Sequence, residues 1–167
     1  MPSKLLLPNF LVPSDVETAM EDVSRFAISQ GFLKRETFHI VMLVPSMDTS
    51  GTYPDYPIKP HLLAEYTRGD KSTWEHDLAN IAQCKALQLW HGRNDGGTDS
   101  TAHMLFPGDT PFWGGVKRDG IVVACSGVQP YYDRMISGMV ADMCIAMAQD
   151  LKEEWIKNYS HMDFIPE

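Results

Sequence analysis

The fold of this chain is decided by the stretch GGVKRDGIVVACSGV, residues 114–128. Two β-prone runs, Gly114–Lys117 and Ile121–Val128, flank an Asp119-Gly120 pair, and such a pair tolerates the positive φ angles of a tight hairpin turn. Small residues at both ends of the hairpin leave room for a helix or a neighbouring backbone to approach closely. The stretch therefore predicts an antiparallel hairpin with a helix packed tightly against it.

Three helices are predicted around this hairpin. The first two begin with Ser-x-x-Glu capping boxes, at Ser14 and at Ser72, and their apolar residues then recur with the period of a helix. The third begins at Pro130, because proline is favoured in the first turn of a helix. The predicted helices cover about residues 14–31, 72–92 and 130–157.

Strands are predicted on both sides of the proline-rich segment 45–60. Phe38–Val44 is apolar on both faces apart from His39, which is typical of a strand at the centre of a sheet. His61–Thr67 indicates a second strand, and segment 45–60 is predicted to be a loop because prolines cannot donate to a β-ladder. Residues 101–106 fit either a short strand or one helical turn.

The order of these elements indicates an α+β fold, an antiparallel β-sheet flanked by α-helices. A chain of 167 residues is long enough for one domain with a sizeable core. We therefore predict a single domain over residues 1–167, with its core in about 14–150.

The composition argues against several classes of partner. The formal net charge is −8 and no cluster of Lys and Arg offsets it, which disfavours nucleic acid. No apolar run is long enough to cross a bilayer, so no membrane partner is expected. The three cysteines are far apart, which indicates reduced thiols in a cytoplasmic compartment.

A stripe of methionines marks the last predicted helix. Four methionines and a leucine recur at intervals of four residues: Met135, Met139, Met143, Met147 and Leu151. Ile136, Val140, Cys144 and Ala148 lie beside them, and we expect this broad apolar face as a whole to cover the sheet, with Met143 deep in the core. The end near Met135 and Met139 could instead line a cavity, because methionine makes an adaptable apolar wall.

The titratable side chains offer few catalytic candidates. None of the six histidines has the paired spacing of a zinc site, so no metal site is predicted. His103 lies in an apolar stretch and is the candidate acid, base or axial ligand, whereas His39 must find a hydrogen-bond partner or face a cavity. Tyr132 and Asp133 fit a pocket mouth and a solvated helix start equally well. The predicted catalytic residues are His103, Tyr132 and Asp133.

Aromatic side chains concentrate in loops between residues 53 and 113. Such residues over a sheet suggest either a lid on an apolar site or a buried dimer surface. We place the ligand site between the segment Met104–Trp113 and the helix start Tyr131–Met139. The predicted ligand contacts are Met104, Phe106, Phe112, Trp113, Tyr131, Met135 and Met139.

The opening stretch also resembles the GlcG/HbpS-like family, relatives of the C-terminal domain of PduO. That family shows Gly-Gly-Val-Pro, then Asp-Gly, then a strand that closes on Gly-Val-Ser-Gly. The matching residues are Gly114, Gly115, Val116, Asp119, Gly120, Gly127 and Val128. Leu78–Leu87 is similar to the family's helix ending in Lys-Ala, and Met20–Phe32 to its first helix. The resemblance covers roughly residues 14–150.

The resemblance implies a profilin-like or PAS-like fold, in which helices flank an antiparallel sheet. It also implies a homo-oligomer, because such proteins often assemble. Some relatives bind haem, so haem or another tetrapyrrole is the ligand that the resemblance suggests. No other cofactor is expected.

Three functions are compatible with the sequence. The first is binding of a small, largely apolar molecule in a pocket between the sheet and the helices. The second is a cofactor-free isomerase, lyase or cyclase, such as one that catalyses a pericyclic cyclisation by holding a reactive conformer. The third is a structural or interaction subunit whose aromatic residues are buried between chains.

Overall fold

The computed structural model describes residues 2–93 and 102–166. Its elements follow the order β1 α1 β2 β3 α2 β4 β5 α3. The strands are β1 (Leu5–Leu6), β2 (Phe38–Asp48), β3 (Ile58–Arg68), β4 (Gly115–Arg118) and β5 (Ile121–Ser126). The helices are α1 (Pro13–Ser29), α2 (Leu78–Trp90) and α3 (Pro130–Tyr159).

All five strands form one antiparallel sheet, with β2 at its centre. On one side β2 pairs with β3 over Phe38–Met47. On its other side it pairs with β5 over His39–Leu43 and with the short β1 at Met47 and Asp48. The hairpin partner β4 lies beyond β5. An α+β fold with an antiparallel sheet flanked by helices is therefore confirmed.

The helices cover the sheet from both faces. One face packs against α1 and α3, through a core that includes Met20, Phe38, Ile40 and Ile136. The other face packs against α2, which covers mainly β2, β5 and β4. Strand β2 is apolar on both faces because helices bury it from both sides.

The hairpin that was predicted from residues 114–128 is confirmed. Asp119 and Gly120 both have positive φ, 48° and 87°, as the tight turn between β4 and β5 requires. Gly127 has φ 136°, and a Cβ on it would lie 2.5 Å from the carbonyl oxygen of Thr37. The small residue at the end of β5 therefore permits close contact with the chain entering β2, as the sequence predicted.

The prediction that two helices begin at the capping boxes of Ser14 and Ser72 was wrong. Helix α1 begins at Pro13 with Val12 as its cap, so Ser14 already lies inside the first turn. Ser72 lies in a short 3-10 turn, and α2 begins only at Leu78. Asp77 caps α2, because its carboxylate accepts a hydrogen bond from the backbone N–H of Asn80.

The proline-rich segment 45–60 is only partly a loop. Strand β2 continues through Pro45, which lies opposite Pro60 of β3. Proline is tolerated at Pro60 because β3 is an edge strand, and at Pro45 because this part of β2 lies between the stretches that pair with β5 and β1.

The broad apolar face predicted for α3 covers the sheet, but through Ile136, Val140 and Cys144 rather than through the methionines. The residues of α3 that are buried against the sheet are Asp133, Ile136, Ser137, Gly138, Val140, Ala141 and Cys144. Met135 and Met139 are half-buried at the edge of this face, and Met143 is 36% exposed. The prediction that Met143 lies deep in the core was wrong, because the buried stripe is offset by one residue from the methionines.

Among the described residues, no helix combines the length and the hydropathy that a bilayer-spanning segment needs.

Candidate functional site

A buried ion pair joins α2 to α3. Lys85 Nζ lies 3.0 Å from Asp133 Oδ2, and the two side chains are only 2% and 3% exposed. Lys85 Nζ also donates to the backbone carbonyl of Cys125 at 2.8 Å, and Asp133 Oδ1 accepts from the backbone N–H of Val128 at 3.3 Å. The pair thus links both helices to the end of β5.

Small residues in the hairpin make this arrangement possible. A Cβ on Gly114 would lie 2.5 Å from Cβ of Asp133, and one on Gly115 would lie 2.7 Å from Leu89 of α2. With glycine at both positions, β4 lies close to α3 and α2 at the same time. Lys85 and Asp133 therefore meet beside the end of β5, although their helices cover opposite faces of the sheet.

Burial raises the pKa of both titratable groups beside Lys85, the Asp133 carboxyl and the Cys125 thiol. It raises the pKa of Asp133 to about 6, although Lys85 and the N–H of Val128 both stabilise the carboxylate and oppose the rise. Burial likewise raises the pKa of the Cys125 thiol, and the Asp133 charge adds to the rise. Asp133 is consequently a stronger base than an ordinary carboxylate, and Cys125 stays a neutral thiol.

The ion pair lies at the base of a cleft of about 250 Å³. Segments before β4 and after β5, together with the starts of α2 and α3, form its walls. The apolar side chains that line it are Leu78, Ile81, Phe112, Trp113, Val128 and Pro130. Arg35 and His76 lie at its rim, and Ser126 and Gly127 complete the lining. The cleft is thus apolar on its walls and polar at its base and rim.

A pair of reciprocal hydrogen bonds holds one wall in place. Gln88 on α2 donates through Nε2 to the carbonyl of Thr110 at 3.1 Å, and its Oε1 accepts from the N–H of Thr110 at 3.0 Å. Both residues are buried. They anchor the segment from which Phe112 and Trp113 line the cleft.

A second hollow of about 280 Å³ adjoins the cleft and shares Arg35, His76, Leu78 and Gly127 with it. The side chain of Trp74 lines this hollow. Its buried Nε1 has no hydrogen-bond partner among the described residues. Exposed Arg35 and Glu75 face each other across the opening, with Nη2 and Oε2 3.7 Å apart. The described structure thus offers an unpaired indole donor beside the cleft.

His39 lies behind this hollow. Its Nδ1 is 2.8 Å from Thr67 Oγ1 and its Nε2 is 3.3 Å from Glu65 Oε2, while its ring meets Trp74 edge-on at 6.0 Å. The prediction that His39 needs a hydrogen-bond partner is therefore confirmed. Burial lowers the pKa of His39 more than Glu65 raises it, which favours the neutral ring.

The structure brings three of the predicted site residues together, Phe112, Trp113 and Asp133. Tyr131, Met135 and Met139 lie elsewhere, in a shallow depression around Gly138 that Arg118 also lines. Tyr132 stacks on Phe32 of the loop after α1, with ring centroids 4.6 Å apart.

The remaining predicted residues lie outside the cleft. His103 is exposed in a 3-10 turn that spans Ala102–Met104, so the helical alternative for this segment is the one observed. Met104 is half-buried, and Phe106 is 60% exposed beneath the guanidinium of Arg93. None of these three is among the described residues that line the cleft.

Sequence reasoning missed Lys85, although a signal for it exists. Lys85 occurs on the buried face of α2, which also carries Leu78, Ala82 and Leu89. A lysine on such a stripe must be paired or face a cavity, because a lone buried charge is costly. Its partner could not be identified from the sequence, since 48 positions separate the two residues.

Within the described residues, no group of three or more His, Cys, Asp or Glu side chains is arranged to hold a metal ion. Comparison of the chain with protein-family models, with curated proteins and with solved structures finds no match.

Proposed function

We propose that the protein binds a small, largely apolar molecule in the cleft above Lys85 and Asp133. The observation that carries this proposal is the combination of apolar walls with a buried ion pair at the base. Ligand sites of proteins typically combine mostly apolar walls with a few polar groups that orient the ligand. The walls would supply affinity, and Lys85 and Asp133 would orient one polar group of the ligand.

The dimensions of the cleft favour a compact ligand. Its volume of about 250 Å³ is just below the range of roughly 300–1,000 Å³ that is usual for ligand pockets. The adjoining hollow beside Trp74 would add room for a longer molecule. A molecule of one or two fused rings with one polar substituent fits these limits.

Haem fits the described residues poorly. His103, the histidine predicted as axial ligand, is exposed and does not line the cleft. Both ring nitrogens of His39 have partners, Thr67 and Glu65. His76 is the histidine among the described lining residues, and it lies at the rim. We therefore propose an organic ligand without metal coordination.

Proton–nitrogen correlation spectra test the binding proposal. Titration with small bicyclic aromatic ketones should shift the amide signals of Ile81, Trp113, Gly127 and Val128 first. Ile81→Trp should abolish these shifts, because the larger ring fills the cleft. Leu87→Trp is the matched control on the same helix, since Leu87 is 40% exposed and does not line the cleft. Shifts centred on Tyr131, Met135 and Met139 instead would move the site to the depression near Arg118.

A second candidate function is cofactor-free catalysis in the same cleft, by an isomerase, lyase or cyclase. The observation that favours it is the position of Asp133 beside an apolar cleft, where its raised pKa suits proton transfer near neutral pH. Pericyclic cyclisation would need only the shaped walls, whereas isomerisation or elimination would use Lys85 and Asp133.

We also propose that the chain is a divergent member of the GlcG/HbpS-like family and forms a homo-oligomer. Support for assembly comes from an exposed apolar area of β2 and β3 beside α2, where Met47, Ile58 and Leu62 are 43%, 62% and 38% exposed. A second copy could bury this area. Light scattering should give at least a dimer mass, and Ile58→Glu should lower it. A monomer mass at micromolar concentration would refute assembly.

A further inference from the structure

We propose that Lys85 and Asp133 form an acid–base couple that enolises an apolar carbonyl compound bound in the cleft. This inference rests on the proposed binding function and names its substrate class, a ketone or aldehyde with a hydrogen on the carbon next to the carbonyl group. It assigns one role to each member of the ion pair.

The hydrogen bonds of the pair leave capacity for a substrate. An ammonium group has three N–H donors, and Lys85 uses two, on Cys125 O and on Asp133 Oδ2. The Asp133 carboxylate accepts three hydrogen bonds, from Lys85, from the N–H of Val128 and from the Cys125 thiol, and because a carboxylate has about four lone-pair sites, one is left. Both residues line the cleft, so the third N–H and a carboxylate lone pair can act on one bound molecule.

The chemistry balances without a further reagent. The Asp133 carboxylate takes a proton from the carbon next to the carbonyl group, and the electrons of the broken C–H bond form a C=C bond. The carbonyl π electrons move to oxygen, where the Lys85 ammonium stabilises the negative charge. Asp133 then returns the proton to the oxygen, to the same carbon or to a conjugated carbon. The outcome is tautomerisation or a shift of a double bond, with no change of oxidation state.

The surroundings of Asp133 suit the role of base. The groups that face it from other elements are Lys85 on α2 and the neutral Cys125 thiol on β5, with Arg35 and His76 at the rim of the cleft. Burial keeps water away from the carboxylate, and the raised pKa lets it accept a proton more readily than an exposed aspartate. Lys85 keeps it ionised near neutral pH despite the burial.

Hydrogen–deuterium exchange of β-tetralone tests the proposal. This flat bicyclic ketone has acidic protons beside its carbonyl group, and proton NMR in deuterium oxide follows their loss. We expect the wild-type protein to accelerate the exchange over buffer, and Asp133→Asn to lower the protein-dependent rate roughly 100-fold or more. Asp150→Asn, an exposed position on the same helix, is the matched control and should leave the rate unchanged.

The wild-type pH profile provides a second measurement that does not depend on a variant folding correctly. The protein-dependent rate should rise as Asp133 ionises, with a midpoint at about 6, and then level off. A rate without this rise, or an Asp133→Asn variant as fast as the wild type, would overturn the acid–base assignment. Amide shifts on β-tetralone addition without exchange would overturn it too, and would leave the binding function standing. Absence of both shifts and exchange would count against both proposals.

Discussion

Lys85 Nζ and Asp133 Oδ2 lie 3.0 Å apart with almost no solvent contact, one on α2 and the other in the first turn of α3. Removing two charges from water is costly, and their attraction offsets that cost only when further hydrogen bonds satisfy both groups. Here Cys125 O and the N–H of Val128 supply those bonds. An apolar pair of similar volume would pack as well, so stability alone does not explain why this site carries charges.

Asp133 should titrate far from the usual range of an aspartate. We expect its carboxyl carbon to titrate at about pH 6 in carbon NMR, because burial outweighs the stabilising Lys85. Lys85→Met should raise this midpoint further, since the opposing cation is removed while the burial remains. A midpoint near 4, the ordinary aspartate value, would mean that water reaches the carboxylate.

The same shift predicts how stability depends on pH. A folded-state pKa above the unfolded value of 3.8 means that the folded protein binds the Asp133 proton more tightly. The contribution of Asp133 to stability is therefore largest below about pH 4 and is lost as the pH rises through about 6, by up to about 3 kcal/mol. Urea unfolding of the wild type and Asp133→Asn across this range should show that the destabilisation by the variant shrinks with rising pH. A constant difference would contradict the assignment.

Removing one member of the ion pair should destabilise the protein more than removing both. Asp133→Leu alone should lower the free energy of unfolding by about 3–5 kcal/mol, because it leaves the Lys85 charge buried and unpaired, and Lys85→Met should destabilise less, because Asp133 can take up a proton instead. The double variant should recover a large part of this loss. Chemical denaturation of all four proteins closes the double-mutant cycle. Additive losses would show that the two charges do not interact.

The glycine at the end of β5 should tolerate no side chain. Gly127→Ala should cost at least about 3 kcal/mol, since a Cβ would meet Thr37 O and Phe38 while φ stays at 136°. Gly31→Ala is the matched control, with positive φ but no described atom within 4 Å of its Cβ, and should cost about 1 kcal/mol. Thermal unfolding compares them. Equal losses would mean that the contact with the start of β2 relaxes easily.

Core truncation should distinguish the buried stripe of α3 from the methionine stripe. Ile136→Ala should cost about 2–5 kcal/mol, because Ile136 is 0% exposed. Met143→Ala should cost less than about 1 kcal/mol, because Met143 is 36% exposed. Denaturant titration checks both values. The opposite order would mean that α3 is rotated about its axis relative to the described packing.

The two reciprocal hydrogen bonds between Gln88 and Thr110 should contribute to both stability and ligand binding. Gln88→Leu should cost about 1–3 kcal/mol, because it leaves the buried N–H and carbonyl of Thr110 unpaired. It should also weaken ligand binding, since these hydrogen bonds hold Phe112 and Trp113. Gln149→Leu, on the exposed part of α3, should change neither. An unchanged ligand affinity of Gln88→Leu would show that Phe112 and Trp113 keep their positions without these two hydrogen bonds.

Local features of the sequence were sufficient for the elements and the fold class. The Asp119-Gly120 turn, the apolar run from Phe38 to Val44 and the helix start at Pro130 act within a few residues, and each is observed. The ends of elements were less predictable where two local signals competed. Ser72 lies in a short 3-10 turn that Asp70 caps, whereas Asp77 caps the helix.

The candidate site, by contrast, depends on contacts between distant residues. The sequence alone marks Asp133, Phe112 and Trp113 as candidates, but it equally marks His103 and Met139, which the fold places elsewhere. Only the tertiary structure brings Lys85 to Asp133, because Gly114 and Gly115 let helices on opposite faces of the sheet both pack closely against the hairpin. Turns and periodicity act through neighbouring residues, whereas the position and burial of a charge depend on how whole elements pack, and this is why the site could not be derived from the sequence.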